Sequence, residues 1–250
     1  MRPTGIVCVL LLLVGPSIAF AQATSDEPVY GRRQTFAAFF DYSNDSSHIV
    51  LGRSPDRKFT DLGFQYEYRV LGRRHYVWKY AGEFRPLIVE SDLTSSAVVT
   101  FTSPPPMTTF AVPAAATLSC RDGTTGYSVV DPNTGILYSE TVETSCGRRW
   151  TYMEGLSPLG SRINVFPHSR WQPTASVLAG FLLSAKRIPV DTAGSFNFMF
   201  EFGAGLEYFR TPSQSMRVEY QVQHFSNAST ADSNPGVDNG LFKLTYTFGR

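Results

Sequence analysis

Apolar and polar positions alternate along much of the chain. Within 195–210 one face carries Phe196, Phe198, Phe200, Phe202, Ala204, Leu206 and Tyr208, and the other Asn197, Met199, Glu201, Gly203, Gly205 and Glu207. This is the period of two that a β-strand with unlike faces imposes. From 60 to 70, Leu62, Phe64, Tyr66, Tyr68 and Val70 oppose Asp61, Gly63, Gln65, Glu67 and Arg69. Tyr76, Trp78, Tyr80, Gly82, Phe84, Pro86 and Ile88 oppose Lys79, Glu83 and Arg85, and Met216, Val218, Tyr220 and Val222 oppose Arg217, Glu219, Gln221 and Gln223.

Counting such segments predicts eight strands, at 34–42, 59–70, 76–90, 159–165 (the weakest), 174–184, 195–210, 215–226 and 240–248. The connections 71–75, 167–172 and 211–214 are short, while 43–58, 91–152, 185–194 and 227–239 are longer. An even number of antiparallel strands, joined alternately by short and long connections, is the signature of an outer-membrane barrel. The long connections then face outward and both termini inward. Eight strands leave an interior that side chains fill, which excludes an open pore.

A soluble sandwich also alternates, with its apolar faces inward. The aromatic content of the apolar faces separates the two. Four phenylalanines at successive alternate positions, with tyrosines and tryptophan near strand ends, suit a lipid-facing band with interfacial girdles. The expected fold is an all-β, eight-stranded antiparallel transmembrane barrel, with Glu67, Arg69, Lys79, Glu83, Arg85, Glu201, Glu207, Arg217 and Glu219 paired in its interior. The stretch 91–152, between the third and fourth strands, is too long for a structureless loop. Tyr127 to Val130, the turn Asp131-Pro132-Asn133-Thr134-Gly135 and Ile136 to Glu143 make it an external hairpin.

Composition agrees. The chain is 42% hydrophobic, 14% aromatic and only 17% charged, with 20 glycines and 16 prolines, a bias toward strands and turns. A net charge of +1 gives no basic patch for nucleic acid. Met1-Arg2, an apolar run from Ile6 to Val14, and Ala19-Phe20-Ala21 read as a signal peptide over 1–21. Its removal leaves equal numbers of acidic and basic residues, and 22–250 as the barrel. It also removes Cys8, so Cys120 and Cys146 remain as an even pair in an exported chain, where a disulfide is the default. With no histidine nearby they make no zinc site. Asp232, Asn234 and Asp238 hint at calcium, but Pro235 and the missing ligands break the EF-hand pattern. No metal or cofactor is expected.

The outward face that carries Val222 continues to His224 and Ser226, polar residues on a wall that is otherwise apolar. Side chains two apart on a strand share a face, about 7 Å apart at the backbone. The histidine can take the serine proton and make it a nucleophile. Asp238, where the next strand begins, can hold the other ring nitrogen, and Asn227, Asn234 and Gly236 offer amide donors to an oxyanion. The plain reading is that His224 and Ser226 are ordinary polar residues where a strand leaves the bilayer.

The run His224-Phe225-Ser226-Asn227-Ala228, followed by Asn234-Pro235-Gly236-Val237-Asp238, resembles the C-terminal signature of the PagL family, outer-membrane lipid A 3-O-deacylases also described as acyloxyacyl hydrolases. The resemblance implies that His224 is the base, Ser226 the nucleophile, Asp238 the orienting acid and Asn234 an oxyanion donor, on the outer wall of an eight-stranded barrel. The best-known members carry Glu where this chain has Asp238. The resemblance further implies a serine-type ester hydrolase acting without cofactor on lipid A, within lipopolysaccharide of the outer leaflet. The oligomeric state is left open, a homodimer being one arrangement. The competing expectation is a non-enzymatic barrel with a structural or adhesive role.

Overall fold

The computed structural model describes residues 28–43 and 56–249. The expected signal peptide, 1–21, lies outside the described residues. The described residues form ten strands: β1 (Gln34–Ser43), β2 (Lys58–Gly72), β3 (Tyr76–Ser103), β4 (Thr108–Thr117), β5 (Gly123–Val130), β6 (Leu137–Val165), β7 (Trp171–Ser184), β8 (Phe196–Thr211), β9 (Gln214–Ser226) and β10 (Val237–Gly249). Helices are absent among the described residues. Every pairing is antiparallel, and β1 pairs with β10 while β3 pairs with β6. Strands β3-β2-β1-β10-β9-β8-β7-β6 therefore close into an eight-membered ring without a free edge.

The faces of this ring are inverted relative to a soluble protein. In β8, Phe196, Phe198, Phe200 and Phe202 are 40–49% exposed, whereas Asn197, Met199, Glu201 and Glu207 are buried. A sandwich in water would place these rings inside. The interior is instead an ion network. Glu67 accepts from Lys79 Nζ at 2.7 Å and Arg217 Nη1 at 3.0 Å and lies 3.0 Å from Arg162 Nε in an ion pair, and Glu219 bridges Arg162 and Arg217 at 2.6 and 2.9 Å. Higher up, Arg85 joins Glu83 and Glu201 at 2.7 and 2.8 Å, and Lys243 joins Glu83 at 2.7 Å. Buried charges persist only when paired in this way. Phe39 is an aromatic exception in the interior. Its ring lies over Gly63, where a Cβ would fall 2.3 Å from Phe39 Cζ, and Lys243 Nζ sits 3.7 Å from the ring centroid. Above the ions, Phe59, Ile88, Met153, Leu182, Ile188, Met199, Phe225, Val237 and Leu241 form an apolar layer. That layer sits toward the end of the ring from which the long connections leave.

Two expectations need correction. Ile88 is fully buried and faces inward, not outward with Phe84 and Pro86. Arg85 pairs with Gly155 and Ile88 with Met153, so β3 spends one extra residue across Pro86. Proline donates no ladder bond and favours such a bulge, and one extra residue moves the following side chains to the other face. The insert is also more than a hairpin. Strands β3 and β6 run on from the ring, paired as far as Ser103 and Ser139, and β4 and β5 flank them as a four-stranded extension. The segment 159–165, expected to be the weakest strand, and the hairpin arm expected at 136–143 are parts of one long strand, β6, and β4 was not foreseen at all.

The foreseen turn is present at 131–135. Asp131 accepts from the Asn133 amide and the Thr134 hydroxyl, each at 2.8 Å, and Gly135 takes φ +68°. These donors hold the Asp131 carboxyl below its ordinary pKa. A disulfide joins Cys120 to Cys146 with Cα atoms 5.7 Å apart and pins the base of the β5–β6 hairpin.

Candidate active site

Cross-strand register assembles the candidate site. β9 places His224 directly opposite Phe200 of β8 and Asp238 of β10, and Ser226 opposite Phe198. Directly paired residues of an antiparallel ladder share a face with Cβ atoms about 5 Å apart. The wall row therefore reads Phe200, His224, Asp238, with Ser226 one step nearer the strand end. Asp238 lies within β10, whose first residue is Val237, three positions earlier than expected. That early start brings the carboxylate into register with the imidazole.

His224 Nδ1 and Asp238 Oδ1 are 2.6 Å apart; the aspartate side chain is fully buried and the histidine 20% exposed. An ionised carboxylate accepts the Nδ1 proton, which leaves Nε2 with its lone pair directed away from the aspartate. A Cβ on Gly236 would lie 2.7 Å from His224 Cε1 and 3.3 Å from Nε2, so the ring rests across the glycine backbone. The sequence offered Gly236 as an amide donor; in the structure it is the floor beneath the His224 ring. Ser226 Oγ makes no hydrogen bond to His224 among the described residues. The two residues share the face at alternate positions, a spacing that a rotamer change or a bound substrate can close.

Beyond Ser226 the chain turns through Ala228 and Ser229, whose φ values are +51° and +61°. Asn227 holds this loop: its N–H donates to Asn234 Oδ1 at 2.9 Å, its Nδ2 to the Ser233 carbonyl at 2.7 Å, and its own carbonyl accepts from Thr230 N–H at 3.1 Å and Oγ1 at 2.7 Å. The side chain is buried, so the donors of Asn227 serve the loop. Asn234 is exposed, and the closest acceptor to its Nδ2 is Ser229 Oγ at 3.5 Å. Asn234 thus carries the freer amide of the two. Sequence reasoning missed Phe198 and Phe200 as neighbours of the site and Ser233 as its brace, because only register and loop closure reveal them. Groups of histidine, cysteine, aspartate and glutamate able to hold a metal do not occur among the described residues.

The model of the family described as lipid A 3-O-deacylase (PagL) matches residues 126–247. Over that stretch the chain resembles the PagL family. The matched stretch takes in β6 to β9, most of β10 and every candidate residue from His224 to Asp238. Among solved structures, Neisserial surface protein A (NspA) is similar with a TM-score of 0.43 and 8% identity, over 88% of this chain and 98% of that one. Ail, the attachment invasion locus protein of Yersinia pestis, in complex with the heparin analogue sucrose octasulfate, gives 0.35 and 10% over 86% and 97%. No curated protein matches the chain.

Proposed function

We propose that the chain is an outer-membrane esterase that removes an ester-linked acyl chain from lipid A, with Ser226 as nucleophile, His224 as base and Asp238 as its orienting acid. The closed ring is then a transmembrane barrel, residues 1–21 its signal peptide, and the disulfide-braced extension an external feature. The observation that carries this reading is the His224–Asp238 hydrogen bond on the apolar outer wall, within a stretch that matches the PagL family.

In the proposed reaction Ser226 Oγ attacks the ester carbonyl while His224 Nε2 takes its proton. Asn234 Nδ2 donates to the oxyanion. The tetrahedral intermediate collapses, His224 returns the proton to the departing sugar oxygen, and an acyl-Ser226 remains. Water, deprotonated by His224, then releases the fatty acid and restores the serine. The site suits a lipid because the acyl chain can stay against the apolar wall while its ester meets the polar strand end.

The test is to fold residues 22–250 into vesicles containing lipopolysaccharide and follow free fatty acid by mass spectrometry, beside Ser226→Ala. Release by the wild type that is lost in the variant supports the reading, and the product mass identifies the ester. Equal release by both refutes the serine mechanism. The exposed four-stranded extension favours a second reading, a surface-adhesive barrel, which expects no release and no effect of His224→Ala on attachment.

A further inference from the structure

Residues 185–195, which connect β7 to β8, stand between the extension and the loop that follows Ser226. On one side, Asp191 Oδ2 accepts from the Ala116 amide near the end of β4 at 3.0 Å, and Oδ1 accepts from Arg149 Nη1 of β6 at 2.5 Å. Arg149 Nη2 also donates to the Arg187 carbonyl at 2.7 Å. Ala116 and Arg149 lie close in sequence to Cys120 and Cys146, the two ends of the disulfide. On the other side, the Thr192 carbonyl accepts from the Ser233 amide at 3.2 Å, and the two hydroxyls share a bond of 2.7 Å. Ser233 in turn receives Asn227 Nδ2, and Asn227 is bonded to Asn234. Gly194 packs against Asn227, where an added Cβ would meet Asn227 Cβ at 3.3 Å. Ile188 and Ala193 root the connection in the protein.

We propose that this connection is a strut, and that Asp191 and Thr192 are positioning residues which transmit the placement of the disulfide-braced extension to the loop carrying Asn234 and Gly236. The proposal rests on the esterase reading for its catalytic meaning. Its physical basis is the construction of the loop 227–236. Ala228, Ser229, Thr230, Asp232 and Asn234 are exposed, so the loop has little core of its own and depends on hydrogen bonds for its place. Ser233 is where internal and external bonds meet, and Thr192 supplies two of them. The carboxylate of Asp191 makes charge-assisted bonds, which are shorter and stronger than neutral ones. Oxyanion donors and the floor beneath a general base act only when placed to within a fraction of an ångström. The extension reaches the chemistry through this strut rather than by covering it.

The experiment compares wild type, Thr192→Val, Thr192→Ser, Asp191→Ala and Ser226→Ala, each folded from residues 22–250 into phosphatidylcholine vesicles with lipopolysaccharide. Fatty-acid release gives kcat and KM, and amide hydrogen exchange is read at 227–236. Thr192→Val lowers kcat about fivefold, the equivalent of one ordinary hydrogen bond, with KM unchanged. Thr192→Ser restores it, and Asp191→Ala lowers kcat at least as far. Exchange at 227–236 quickens in Thr192→Val and Asp191→Ala but not in β8 or β9. Wild-type kcat and wild-type loop exchange in both variants overturn the strut, while an inactive Ser226→Ala leaves the esterase standing. If Ser226→Ala still releases fatty acid, the serine mechanism falls and loop exchange alone decides whether the strut holds the loop.

Discussion

Replacing Gly236 by alanine adds a single methyl group directly beneath the base of the candidate triad. The backbone at this position needs no left-handed conformation, so the substitution acts through space alone. The new Cβ would stand 2.7 Å from His224 Cε1, 3.3 Å from Nε2 and 3.7 Å from Nδ1. Carbon atoms pack comfortably at about 3.5 Å, so the ring must retreat by roughly 0.8 Å at Cε1. Nδ1 is tied to the buried Asp238 at 2.6 Å. The imidazole therefore pivots about that bond and shifts Nε2 relative to Ser226. Misplacement of a catalytic group by about 1 Å costs on the order of 100-fold in rate. The expected result for Gly236→Ala is a kcat lowered by about 10- to 100-fold on lipopolysaccharide, with the thermal midpoint and heat-modifiable mobility of the wild type. Stability is spared because the crowded ring lies at the outer surface and can tilt away from the wall. A kcat within twofold of wild type would refute the reasoning, since either the ring does not rest on Gly236 or its position does not govern the reaction.

Arg217 is fully buried and serves Glu67 at 3.0 Å and Glu219 at 2.9 Å, with Glu207 at 3.7 Å. Arg217→Met leaves these carboxylates without their shared cation and is expected to lower stability by about 3–5 kcal/mol, measured by urea unfolding followed through tryptophan fluorescence; a loss under about 1 kcal/mol would count against the network. Cys120→Ser with Cys146→Ser opens a loop of sequence separation 26, worth about 3.5 kcal/mol in the chain-entropy model. Protease nicking is expected near 118–122 while the ring survives, and unchanged resistance would mean that the strands hold the extension unaided. The Ala116 amide and then Arg149 hold the Asp191 carboxyl below its ordinary value of 3.8. A depressed folded pKa stabilises the contact fully above 3.8, and the contact is lost as pH falls through the lower value. Loop exchange at 185–195 is therefore expected to rise only below about pH 4, and a rise near pH 6 would point to another group.

The faces of the ring were legible because period-two alternation is a local signal that every residue repeats. The row of phenylalanines in β8 told outside from inside without any knowledge of neighbours. Where one residue broke the period, as Pro86 does, the pattern still read as continuous and Ile88 was assigned to the wrong face. The extension was harder to read. In β4, residues Thr108 to Ala115 are all exposed. No alternation marks such a strand. At the site, His224 and Ser226 could be placed on one face from spacing alone. The His224–Asp238 contact depended on β10 starting at Val237, and the brace through Ser233 on a connection more than thirty residues earlier in the chain, which no local pattern encodes.

The filled interior bears on where chemistry can occur. Ion pairs occupy the middle of the ring and an apolar layer sits above them, so on the esterase reading the substrate is met on the outer wall. On that wall hydrolysis makes opposing demands. The acyl chain is best held where the surroundings are apolar, but the acyl-enzyme must be reached by water. A serine lower on β9, level with Val218 or Tyr220, would meet the first demand and fail the second; one out at Ser229 would fail the first. Ser226 is the last residue of its strand, with Phe198 opposite it and an exposed loop directly beyond. His224, one step below, is 20% exposed, while the aspartate that orients it is sealed. On the esterase reading, the boundary between lipid and water fixes the height of the nucleophile, and the register of β9 against β10 fixes the base and acid beneath it.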